Sequence, residues 1–117
     1  MAELESAIIA LLREKGGGVT FVELARLPGF EGTTEVSTEP GSNCYLWLSC
    51  SPEAVATMCR LMDTGVIEMR TTQPIVYYAD GRVPSLPVAD RPRRYKSPHW
   101  LPAAFSRGPQ FPHPSLP

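Results

Sequence analysis

The chain has 117 residues, 43% of them hydrophobic and 20% charged, with a formal charge of −1; such a composition makes one small globular core and leaves no room for a large internal cavity. Its longest apolar stretches, such as Ala7 to Leu12, fall far short of the roughly 20 residues a membrane span needs, and Met1-Ala2-Glu3-Leu4-Glu5 is acidic where a secretory leader is basic. A cytoplasmic protein without a membrane partner is therefore expected.

Leu4, Ala7, Ile8, Leu11 and Leu12 recur at helical spacing, which predicts a first helix over 3–15, ended by Gly16-Gly17-Gly18. Those glycines are not a phosphate-cradling loop, because no strand precedes them and no Gly-Lys-Ser/Thr follows. Thr20-Phe21-Val22-Glu23 has the form of a capping box and opens a short second helix over 21–27, which Pro28-Gly29 stops. Residues 31–43 are polar and rich in Gly, Thr, Ser and Glu, and read as a long surface loop on which Glu31, Glu35 and Glu39 are solvated charges.

Cys44 to Cys50 is an aromatic and apolar strand. Ser51-Pro52-Glu53 then supplies an N-cap, a first-turn proline and a first-turn acid for a third helix over 52–64, closed by Gly65. Val55, Met58, Cys59 and Met62 form its inner stripe, so Glu53, Ala56, Thr57, Arg60 and Thr64 are expected to face outward. Val66 to Arg70 and Ile75 to Ala79 are β-prone runs joined by Thr71-Thr72-Gln73-Pro74, a predicted hairpin; 82–88 would add an extended edge. Nine of the thirteen prolines fall between Pro84 and Pro117 without an apolar period, so 1–88 is expected to be the folded domain and 89–117 a flexible tail.

Charge divides the same way. Residues 1–89 hold six Arg and Lys against eleven Asp and Glu, whereas 90–117 hold Arg91, Arg93, Arg94, Lys96 and Arg107 against Asp90. Attraction to a polyanion must then come chiefly from the tail. Catalytic chemistry finds no footing: Cys50 is the one candidate nucleophile, but His99 and His113 both lie in the tail. Cys44, Cys50 and Cys59 lack metal-ligand spacing and read as reduced thiols. Neither an enzyme nor a cofactor is expected.

The order of a first helix, a short β segment at Val19, two further helices and a two-stranded hairpin resembles the winged-helix branch of the helix-turn-helix proteins over residues 3–88. That resemblance implies an α+β fold of three helices with a small antiparallel sheet. It makes the third helix the recognition helix and Thr71–Pro74 the wing tip, with Thr57, Arg60, Arg70, Gln73 and Arg82 beside the nucleic acid; the charge of the tail, separately, would set Arg91, Arg93, Arg94 and Lys96 on phosphates. A long polar loop and the 44–50 strand separate the second and third helices, a departure from the family's short turn. Two readings of function stand: a DNA-associated transcription regulator, and a protein-interaction adaptor whose tail offers Trp100, Leu101 and Phe105 as a linear motif. Nothing in the residues sets the oligomeric state.

Overall fold

The computed structural model describes residues 2–112 and has an α+β fold. Its elements are α1 (Ala2–Lys15), β1 (Val19–Thr20), α2 (Phe21–Leu24), β2 (Glu31–Ser37), β3 (Cys44–Cys50), α3 (Pro52–Asp63), β4 (Ile67–Thr71), α4 (Pro74–Asp80), β5 (His99–Trp100) and β6 (Ala103–Arg107). They build two three-stranded sheets, ordered β1-β6-β4 and β2-β3-β5. The first is antiparallel throughout; in the second, β5 joins β3 in parallel.

Local signals formed as their chemistry requires. Leu4, Ile8 and Leu12, one turn apart on α1, are all buried. At α2, the Thr20 side chain accepts the Glu23 N–H at 3.3 Å, while the Thr20 N–H donates to Glu23 Oε1 at 3.4 Å, completing the capping box. The helix itself stops at Leu24, and 25–27 continue only as turns. Ser51 caps α3 by accepting the Ala54 N–H at 3.0 Å.

Residues 31–37 are a strand, not part of a loop: β2 runs antiparallel to β3, with shifts of register along the ladder. A side chain at Gly32 would sit 2.6 Å from the Ser51 Cα, so this glycine serves close backbone approach, and its presence disguised the strand. Residues 75–79 are not the second arm of a hairpin. They belong to α4, which has Pro74 in its first turn and Gly81 at φ 91° as its left-handed cap. With no hairpin at Thr71–Pro74, the expected wing tip is the entry to a helix, and the 82–88 edge strand reduces to a single bridge from Val88 to Trp100.

The expected tail is folded as well. β6 is the central strand of its sheet, pairing Phe105 with both Val19 and Met69. Trp100, Leu101 and Phe105 are buried at 1%, 2% and 0% exposure, so the fold does not end at residue 88. Prolines here flank short strands; Pro98 precedes β5, and Pro102 separates β5 from β6. Further on, Arg13 and Arg107 both lie over the Phe111 ring, at 5.5 and 5.6 Å, and Arg13 donates to the Pro112 carbonyl at 2.8 Å. Residues 113–117 of the expected tail lie outside the described residues.

One aromatic chain joins the two sheets. Phe105 meets Phe21 edge-on at 5.2 Å, Phe21 stacks on Trp47 at 5.7 Å, Trp47 tilts against Tyr77 at 5.6 Å, and Tyr77 meets Trp100 edge-on at 5.0 Å. Five elements thus share a single core.

Candidate nucleic-acid interface

Helix α3 does not present the surface a base-reading helix needs. Thr57, expected to face outward, is fully buried, whereas Cys59, expected inside, is exposed. The inner stripe of α3 is Ala54, Thr57, Met58 and Leu61, rotated by about one residue from the expected one. Arg60 turns toward α1, and its Nε and Nη2 donate to Glu5 Oε1 at 3.1 and 2.7 Å. The exposed positions of α3 are Pro52, Ala56, Cys59 and Asp63; none is the Arg, Lys, Asn or Gln that bonds a purine edge, and Asp63 alone could accept from a cytosine amino group.

The remaining candidates of the 1–88 segment are dispersed. Arg70 lies 3.7 Å from Glu68 on β4, and Arg82 lies 3.6 Å from Glu31 with its guanidinium 5.6 Å above the Trp47 ring. Gln73 is exposed and precedes α4 without a side-chain cap bond. Trp100, Leu101 and Phe105, the expected linear motif, are core residues that no partner reaches without unfolding the sheets.

Arg91, Arg93, Arg94 and Lys96 are the candidates that the fold gathers. All four are exposed on the 90–98 loop, which connects the Val88 bridge to β5. Tyr95, a residue sequence reasoning passed over, holds the loop. Its N–H donates to the Ser42 carbonyl at 2.8 Å, and its carbonyl accepts Asn43 Nδ2 at 3.1 Å, so the loop rests on the turn between β2 and β3. Its hydroxyl sits 3.0 Å from Asp90 Oδ1 and 2.9 Å from the Arg91 carbonyl. Its ring stacks on His99 at 4.1 Å, and the Arg93 guanidinium lies 4.6 Å from that ring. His99 Nδ1 is 2.8 Å from the Ser97 carbonyl, a pure acceptor, so Nδ1 carries the proton.

Asp90 and Arg93 favour each other's charged form. The Tyr95 hydroxyl, with Arg93 and Arg91 nearby, holds the Asp90 carboxyl below its ordinary range, and the Tyr95 contact raises Arg93 further. Arg93 lies 3.7 Å from Asp90 and Arg94 lies 3.6 Å from Glu39; Arg91 and Lys96 have no carboxylate within 4.0 Å among the described residues. Arg94 also donates to the Gly41 carbonyl at 3.3 Å. The signal for this site was the clustering of four cations within six residues. What held them in place was invisible, because the partners Ser42 and Asn43 are far away in sequence.

Burial pushes the Cys50 thiol up to about 12, which keeps it protonated and poorly nucleophilic. No group of three or more His, Cys, Asp or Glu that could hold a metal occurs among the described residues, and no helix among them is long and apolar enough to cross a membrane. No protein-family model matches the chain, and neither the curated proteins nor the solved structures contain a match to it.

Proposed function

We propose that this chain is a non-enzymatic, winged-helix-like module that associates with DNA through its phosphates, using the loop Arg91–Lys96 as an extended wing, with α3 kept as a structural helix. The observation that carries this reading is the exposure of four cations on one loop that Tyr95 anchors to the β2–β3 turn. Element order supports it: α1, β1, α2 and α3 precede an antiparallel β4–β6 pair, and β6 closes on β1. In that arrangement the segment between the paired strands, the place of a wing, is 72–102, and it contains the cationic loop.

Phosphate contacts position a protein without selecting a sequence. Binding of duplex DNA, followed by fluorescence anisotropy across a salt series, should give a log K against log salt slope of about −3 to −4 for four contacts. Replacing Arg91, Arg93, Arg94 and Lys96 together with Ala should flatten most of that slope. Failure of the intact chain to bind any duplex at low salt would overturn the proposal.

A protein-adaptor reading retains one specific support, which is different from the buried tail motif. Ile75 and Tyr78, three residues apart on α4, are 69% and 61% exposed. Loss of a captured protein partner in Ile75→Ala/Tyr78→Ala, with DNA binding absent, would favour that reading.

A further inference from the structure

β4 is one of the two outer strands of the β1-β6-β4 sheet, and no further strand lies beyond it among the described residues. The bonds that flank its ladder set the direction of its backbone groups. Gly108 N–H donates to the Val66 carbonyl at 2.9 Å, and Thr72 N–H donates to the Pro102 carbonyl at 3.0 Å, so even-numbered residues of this stretch turn toward β6. By strand alternation, Ile67, Met69 and Thr71 direct their N–H and C=O groups to the free edge. An open cleft of about 380 Å³ runs there, lined by Met62, Ile67, Glu68, Met69 and Arg70. The two methionines are half-buried against the core.

We propose that this edge is the interface of a two-fold dimer, in which β4 pairs antiparallel with β4 of a second copy of the chain, centred on Met69. The occupant follows from charge complementarity with itself. In the Met69-centred register, Met69 faces its own symmetry mate and Ile67 faces Thr71, and each of these pairs exchanges both N–H···O bonds. Glu68 then stands opposite Arg70 of the other copy, and Arg70 opposite Glu68, at the closely spaced positions that do not share backbone bonds. Each Arg70 already lies 3.7 Å from its own Glu68, with both side chains substantially exposed, so pairing completes a quartet of alternating sign.

Neighbouring registers are rejected by the same residues. A slip that keeps the backbone bonds places Glu68 against Glu68 in one direction and Arg70 against Arg70 in the other, and like charges directly opposite destabilise a pair. A two-fold interface requires self-complementarity of this kind. The strand carries no proline and no bulge, the usual means of blocking such an edge, and its charges select one partner register.

The test uses the full chain in sedimentation equilibrium, with circular dichroism confirming that each variant is folded. Wild type should approach twice its 12.8 kDa mass as concentration rises. Arg70→Glu gives a copy an edge with two acids, and Glu68→Arg gives it an edge with two arginines; each alone should dimerise at least ~10-fold more weakly. An equimolar mixture of the two variants should regain dimer, since an acidic edge then faces a basic one. Thr71→Pro, which removes an outward N–H and leaves the β6 ladder intact, should also weaken dimerisation. A wild-type chain that stays monomeric at the highest concentration would overturn the proposal. So would single variants that dimerise as tightly as wild type, or a mixture that stays monomeric.

Discussion

The Tyr77 hydroxyl donates to the Ala103 carbonyl at 2.6 Å, tying α4 to the first residue of β6. The same oxygen accepts the Phe21 N–H at 3.1 Å, so one buried side chain pins α2, α4 and β6 together. Tyr77→Phe leaves a buried amide and a buried carbonyl without their partner and should cost about 2–4 kcal/mol, read as a lower urea midpoint at unchanged m-value. Near-wild-type stability in this variant would show that the bridge contributes little.

Stability should also respond to alkaline pH in a defined direction. Burial raises the Cys50 thiol from 9.0 to about 12 and raises the Tyr77 phenol above its ordinary 10.0, so the unfolded chain loses these protons first. The stabilisation is complete below pH 9 and is lost as pH rises from 9 toward 12. Urea titrations across that window should show the fall, with Cys50→Ala removing the part that begins near pH 9. A flat profile would show that neither group keeps its proton in the folded state.

The chain beyond residue 88 should be indispensable. Truncation after Val88 removes β5 and β6 and leaves β1 and β4 without the strand that joins them, so cooperative unfolding should disappear. Phe105→Ala, which empties a fully buried site, should cost about 3–5 kcal/mol in the full chain. A truncated chain that melts cooperatively would place the core elsewhere.

Helix α3 offers a test of its phase. Thr57 is fully buried, and its hydroxyl has no hydrogen-bond partner among the described residues. Thr57→Asp should therefore unfold the protein, and Thr57→Val should be neutral or stabilise by up to about 1 kcal/mol. Cys59→Asp, at an exposed position, should be tolerated within about 0.5 kcal/mol. Thermal melts of the three variants separate this phase from one in which Thr57 faces outward.

Arg60 should behave as a structural residue. It holds Glu5 at 2.7 Å with both side chains partly exposed, so Arg60→Ala should cost under about 1 kcal/mol and leave any DNA sequence preference unchanged. A preference that vanishes in this variant would restore α3 as a reading helix.

What the residues determined by themselves was local. Leu4, Ile8 and Leu12 define α1, Thr20 with Glu23 caps α2, Ser51-Pro52-Glu53 opens α3, and the apolar run Cys44–Cys50 is a strand, because each signal acts between residues within one or two turns. The four cations of the interface are likewise contiguous. Tertiary structure decided the rest. Ile75 to Ala79 is β-prone but became helix, since the partner of β4 arrives from residues 103–107, and Tyr77 is drawn into the aromatic core. Proline density made 89–112 resemble a tail, yet Phe105 pairs with Val19 and Met69 across more than thirty positions of chain. The exposed face of α3 was set by what packs over it, because Val55, Cys59 and Met62 have the same period as Ala54, Met58 and Leu61. Periodicity fixes the spacing of a buried stripe, but neighbouring elements choose which of two adjacent stripes is covered.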